Sequence, residues 1–271
     1  MKKFINLLLV FMLSICVVGC SSNSTSNSRN ASTSDASSAT EAELSLEGKD
    51  LKVYCGAGMT KPFEEIANAF KEKTGCNIEV TYANAAQIQT QIKTSEEGDL
   101  FVAGAEDELK PISDYVSESK KLVKHIPVLA VASGNPKEIN SLKDLTKDGV
   151  TVVLGDAEST PIGKIAKKAL SNLKIYKKID IQATTSTAPE LTNAIEAGEC
   201  DAVIVWKENV KSDKVEIVDT TDLDNYIKVI PAASLNCSEN EESLKEFLNY
   251  LDTDEVKAVW EKYGYELVSE K

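Results

Sequence analysis

The chain has 271 residues, 42% hydrophobic and 27% charged, which allows one large or two modest domains and excludes collagen-like, coiled-coil and wholly disordered readings. Acidic residues outnumber basic ones 43 to 30, for a formal charge of −13, so nucleic acid, which needs a basic face, is not an expected partner. One histidine, His125, rules out His-rich zinc sites and histidine triads. The one arginine, Arg29, lies in a Ser/Thr/Asn tract, so the folded part has no guanidinium fork to clamp an anion.

Lys2 and Lys3 precede an apolar run over residues 4–18 that is too short and wrongly flanked for a stable membrane span. It closes on Val17-Val18-Gly19-Cys20, which resembles a bacterial lipobox. Residues 1–19 are therefore expected to be a signal peptide and Cys20 a lipidated N-terminus; a plain secretory signal with an incidental cysteine is the alternative. Residues 21–40, mostly Ser, Thr, Asn and Ala, cannot bury enough surface to offset their ordering entropy. Residues 20–49 read as a flexible tether, and the protein as exported and lipid-anchored to the outer face of a bacterial cell membrane. Cys55, Cys76, Cys200 and Cys237 fit no CxxC spacing, and buried free thiols are favoured over disulfides.

From residue 51 strand and helix signals alternate. Residues 51–57 read as a buried strand. Thr60 is expected to cap a helix carrying Pro62, Phe63, Ile66 and Phe70, with Gly75 as its stop. Ile78, Val80 and Tyr82 mark a second strand, Ile88 and Ile92 a helix, and residues 99–103 a third strand. Beyond Pro127, residues 128–132 and 150–154 look like strands, and Thr160-Pro161 opens a helix. Thr187-Ala188-Pro189-Glu190 is a capping box ended by Gly198. Residues 202–206, 215–218 and 226–230 read as strands. Two helices, with Leu244 and Phe247 and with Val256 and Trp260, close the chain. This alternation argues for parallel sheets covered by helices, arranged as two α/β lobes.

The junctions at Gly56-Ala57-Gly58-Met59-Thr60, Glu158-Ser159-Thr160-Pro161-Ile162-Gly163 and Ser186-Thr187-Ala188-Pro189 are small-residue turns opening helices. Helix N-termini carry unpaired N–H groups and attract anions. Ordinary capping explains any one of them; several converging at the carboxyl ends of strands would make a binding site.

The run Val53-Tyr54-Cys55-Gly56-Ala57-Gly58-Met59-Thr60-Lys61-Pro62-Phe63, together with Gly98-Asp99-Leu100-Phe101-Val102-Ala103-Gly104, Pro161-Ile162-Gly163-Lys164, Ala197-Gly198-Glu199-Cys200-Asp201-Ala202 and Trp260-Glu261-Lys262-Tyr263-Gly264-Tyr265, resembles the molybdate-binding receptors of ABC transporters in family order. The resemblance implies a two-lobed type II periplasmic-binding-protein fold with hinge strands between the lobes. Lobe I would be residues 50–124 plus 232–271 and lobe II residues 125–231. It implies a monomer that holds a small oxyanion, molybdate or tungstate, and docks on a membrane permease. No cofactor, protein-bound metal cation or catalytic residue is implied. The family's ligand positions fall at Gly58, Ala85, Ile162, Ala188 and Trp206, with Met59, Thr60 and Thr160 as additional contacts. Gly58 and Ala85 stand where the family has serines, and Trp206 where it has a tyrosine. The backbone donors survive these changes and three hydroxyls do not. Each lost hydroxyl would remove about 1.5–3 kcal/mol if it bonded a charged ligand; Thr60, Asn84, Gln87, Thr160, Lys61 and the Trp206 indole N–H are the compensating candidates.

A receptor whose cleft has turned to another solute is the first alternative. An enzyme using a Cys/His pair is the second, although no cysteine occupies a nucleophile motif. Cys20→Ser is expected to release the protein from membranes with the folded domain unchanged. Intact-mass analysis of the membrane-extracted protein checks this: an unmodified or internally cleaved N-terminus contradicts it.

Overall fold

The computed structural model describes residues 45–268; the expected signal segment, Cys20 and most of the expected tether lie outside the described residues. The elements run β1 (Asp50–Gly56), α1 (Thr60–Thr74), β2 (Asn77–Ala83), α2 (Ala85–Ser95), β3 (Leu100–Val102), β4 (Val116–His125), β5 (Pro127–Ala132), β6 (Thr151–Gly155), α3 (Pro161–Asn172), β7 (Asp180–Thr185), α4 (Ala188–Glu196), β8 (Ala202–Trp206), β9 (Val215–Ile217), β10 (Lys228–Leu235), α5 (Glu241–Tyr250), α6 (Asp254–Lys262) and β11 (Glu266–Leu267), with short 3-10 turns between some of them. One sheet has the order β11-β4-β10-β3-β1-β2, the other β7-β6-β8-β5-β9.

Each sheet has a parallel centre. β1 pairs in parallel with β2 and β3, and β6 with β7 and β8. The parallel centres that the alternation of elements predicts are present, and each sheet also carries antiparallel strands: β10 runs antiparallel to β3 and β4, and β5 antiparallel to β8 and β9. The reason is topological. The chain enters the second sheet along β5 and returns to the first along β10, each time from the carboxyl edge of the parallel strands, so each entering strand runs against them.

Three apolar clusters hold these layers. On one face of the first sheet, Phe63, Ile66 and Phe70 of α1 meet Phe247 of α5 and Trp260 of α6, all buried. The Phe70 and Phe247 rings lie 4.9 Å apart, edge to face, and each buried aromatic contributes about 1.5–3 kcal/mol by area alone. The opposite face carries Tyr54, Ile88, Ile92, Phe101 and Ile112. The second sheet has its own core from Val152, Leu170, Leu191, Val203 and Val205. β1 reads as an almost unbroken apolar run because both of its faces are covered.

β4 and β7 carry no such signal. Residues 117–121 are Ser-Glu-Ser-Lys-Lys, and β7 is Asp-Ile-Gln-Ala-Thr-Thr with most side chains exposed, because β7 is an edge strand and β4 is flanked on its outer side only by β11 at Val123 and Lys124. β10 continues past Pro231, where a register shift absorbs the missing N–H. Thr60 is the first residue of α1 rather than its cap: the 3-10 turn at Ala57–Met59 leads in, and the Thr60 hydroxyl donates to the Ala57 carbonyl at 2.8 Å. All four cysteines of the folded region are free; burial pushes the Cys200 thiol up to about 11, which keeps it protonated and unreactive.

The junction after β6 is the tightest. A Cβ on Gly163 would lie 2.3 Å from the Gly155 carbonyl oxygen and 2.4 Å from that of Asp156, both backbone, whereas a Cβ on Gly58 meets nothing within 4 Å. Gly163→Ala is therefore expected to cost about 1–3 kcal/mol, as overpacking does, and Gly58→Ala to fall within about 0.5 kcal/mol of wild type. Urea unfolding of the two variants checks the contrast; equal stabilities contradict it.

Candidate functional site

β4 is parallel to β3, because both are antiparallel to β10, so its last residue, His125, lies on the carboxyl side of the first sheet. After a single intervening residue, Ile126, Pro127 begins β5 opposite Trp206, the last residue of β8. The carboxyl edges of the two sheets therefore meet at Ile126. In register, His125 lies beyond the level at which Val102, Cys55 and Tyr82 align, so β4 and β10 extend past the first sheet towards the second.

Each ligand-binding position expected from the sequence lies at one of these edges. Gly58 sits in the turn after β1, and Ala85 is the first residue of α2, after the neighbouring β2; the two junctions are adjacent because Gly56 and Ala83 are paired. On the other sheet, Ile162 is in the first turn of α3, after β6, and Ala188 opens α4, after β7. The pairing of Gly155 with Thr185 and a bond from Asp156 N–H to the Thr185 carbonyl, 2.8 Å, hold these two together. Trp206 ends β8 on the other side of β6. Ile162 and Met59 are each 2% exposed as whole residues and their side chains belong to the cores, so any part they take in binding is through the main chain.

Polar side chains at the junctions are committed locally. The Thr160 hydroxyl donates to the Asp156 carbonyl at 2.7 Å and accepts from Gly163 N–H at 3.0 Å. Asn84 and Gln87 close a capping box, with Gln87 N–H to Asn84 Oδ1 at 3.0 Å and Asn84 Nδ2 to Gln87 Oε1 at 2.7 Å. The hydroxyl protons of Thr60 and Thr160 and the Asn84 amide are thus spent on their own helix ends. Glu190 accepts from Ser186 N–H and Thr187 N–H, each at 3.1 Å, and Asp156 accepts from Ser159 N–H at 2.8 Å. With Lys164 N–H bonded to the Thr160 carbonyl and Pro161 lacking an N–H, Ile162 N–H is the first-turn donor of α3 that these bonds leave over. Ala85 and Ala188 are the first residues of their helices, one position earlier than Ile162 in α3. Such an arrangement offers main-chain N–H groups, an anion-binding chemistry.

A second group of residues escaped sequence reasoning. The His125 ring stacks on Trp206, centroids 3.5 Å apart; its Nε2 lies 2.8 Å from Glu208 Oε1 and its Nδ1 3.4 Å from the Gly104 carbonyl oxygen. Gly104 N–H donates to Glu108 at 2.8 Å. Burial pushes the Glu108 carboxyl above its ordinary value, while the Gly104 N–H pulls it down. Burial likewise pushes the Tyr265 phenol up, and the Glu208 carboxylate adds to it. Lys207 pairs with Glu266, a contact that holds that carboxyl below its usual value. These residues are scattered over four segments of sequence, and a lone histidine at the end of a strand carries no local signal.

A family model described as bacterial extracellular solute-binding protein matches residues 51–266. A Bacillus subtilis relative, which carries the name of an ABC transporter substrate-binding lipoprotein, YvgL, is 30% identical over 270 residues, 97% of this chain and 96% of its own. The molybdate-binding protein ModA of Escherichia coli is 25% identical over 235 residues, 82% of this chain and 90% of its own. Among solved structures, one from Clostridium difficile, assigned as the substrate-binding domain of a molybdenum ABC transporter, superposes with a TM-score of 0.70 at 25% identity, covering 81% of this chain and 99% of that one.

Proposed function

Because the chain belongs to the bacterial extracellular solute-binding proteins and is a substrate-binding protein of an ABC transporter, we propose that it captures a small oxyanion, molybdate or tungstate, between the carboxyl edges of its two sheets. Its fold is the two-lobed one of periplasmic binding proteins. Such a protein binds and hands over its solute without a cofactor and without turning it over, and its partner is the transporter's permease. Among the described residues no helix is long and apolar enough to cross a membrane.

The observation that carries the oxyanion reading is the donor inventory at the two edges. Gly58, Ala85, Ile162 and Ala188 offer main-chain N–H groups where the neighbouring hydroxyls are already committed. An anion held by fixed N–H groups is selected by size, since the donors cannot follow a smaller ion inward; molybdate and tungstate are nearly alike in size and sulfate is smaller. Trp206 is a wall of the cleft in this reading. Residues 50–124 plus 232–271 and residues 125–231 would act as lobes closing on the ion, with the closed monomer docking on the permease and lipid on Cys20 tethering it.

A second reading, the same cleft adapted to another small solute, is favoured by one feature. Nothing lies within 4 Å of where a Gly58 Cβ would stand, which leaves space beside the donors. Calorimetry separates the two. The oxyanion reading expects wild type to prefer molybdate and tungstate over sulfate, and Gly58→Ser with Ala85→Ser to tighten molybdate by about 1–3 kcal/mol per added bond. An unchanged molybdate affinity in the double variant, or a stronger response to sulfate or an organic solute, supports the second reading; no oxyanion binding by either protein ends the first.

A further inference from the structure

The crossover holds an arrangement that ligand capture alone does not explain. His125, the one imidazole of the chain, has a hydrogen-bond acceptor opposite each ring nitrogen: Glu208 Oε1 at 2.8 Å from Nε2 and the Gly104 carbonyl at 3.4 Å from Nδ1. A neutral imidazole carries one N–H and can donate to only one of them; the imidazolium donates to both. Gly104 follows β3 of the first sheet, and Glu208 follows β8 of the second. The same ring lies flat on Trp206, 3.5 Å between centroids and 21° between planes. Glu208 is 9% exposed, so its carboxylate needs a partner where it stands.

We propose that His125 is a positioning residue that fixes Trp206 at the cleft, and that its doubly protonated form clamps the edges of the two sheets together through Gly104 and Glu208. Loss of one ring proton leaves one acceptor without its donor, which loosens the tie between β3 and β8 and removes the cation from the Trp206 face. Histidine is the side chain suited to such a change between about pH 5 and 8.

The surrounding charges are consistent with a local switch. Glu108 accepts from Gly104 N–H and Tyr265 packs 6.2 Å from the imidazole. Lys228, opposite His125 on β10, is paired with Asp107 at 3.0 Å, and Lys124 and Lys207 both pair with Glu266. The nearby lysines are thus each matched to a carboxylate, and Glu208 is left to the imidazole.

The test does not depend on knowing the ligand, because the role of His125 in capture rests on the oxyanion reading but the clamp does not. A single histidine gives a single imidazole C2–H resonance, and a stacked imidazolium quenches indole emission. The expected result is one shared midpoint for the imidazole resonance and the tryptophan fluorescence. Glu208→Gln should lower that midpoint, since the charged ring loses its carboxylate. His125→Gln, checked for a cooperative melt, should abolish the fluorescence step. Separate midpoints in wild type, or a step that persists in His125→Gln, overturn the clamp. Molybdate titrations at about pH 6 and about pH 8 then read the positioning role: several-fold tighter binding at the lower pH in wild type, with the ratio falling towards that of the free ion's own chemistry in His125→Gln. An equal ratio in both proteins overturns that role. If wild type binds no molybdate at either pH, the oxyanion reading fails, and resonance and fluorescence still decide the clamp.

Discussion

The first turn of a helix cannot satisfy its own N–H groups, and in a parallel βα unit that turn always lies at the carboxyl edge of the sheet. In this chain such junctions follow β1 and β2 on one sheet and β6 and β7 on the other. A crossing of one residue, Ile126, brings the two edges to the same place. Most other features serve that placement. The antiparallel entries of β5 and β10 follow from where the chain crosses, the capping boxes at Asn84 and Thr187 fix where each helix starts, and Gly163 lets α3 sit on the end of β6 at backbone contact.

The same constraint decides which chemistry is left. Thr60, Thr160 and Asn84 have polar groups, yet each is used to finish a helix end. Glu190 and Asp156 take up several loop N–H groups. The main chain at the first helical residues is what a solute can still meet. In the oxyanion reading proposed above, glycine, alanine and tryptophan at Gly58, Ala85 and Trp206 need not end anion binding, because main-chain N–H groups survive side-chain change.

Legibility in the sequence followed burial. β1, β8 and the helices carrying Phe63, Ile66 and Phe70 or Leu191 and Ile195 could be read because their apolar spacing answers to a covered face. β4 could not, since residues 117–121 are polar on an edge that the fold leaves open, and β10 looked shorter because Pro231 falls at a register shift. The helix-opening junctions were visible as turns, but that they share two edges is a property of strand order, which no local pattern encodes. The His125 group was invisible for the same reason: Gly104, His125, Trp206 and Glu208 meet only because two strands end at one crossover.

Backbone amide resonances of the isotope-labelled protein, followed during titration with molybdate, test the central claim most directly. The account expects the largest changes at Gly58, Ala85, Ile162 and Ala188, two junctions on each sheet moving together with one dissociation constant. Changes confined to one sheet, or centred instead on the cavity between β4, β10 and α5 that Ser234 and Leu248 line, would contradict it.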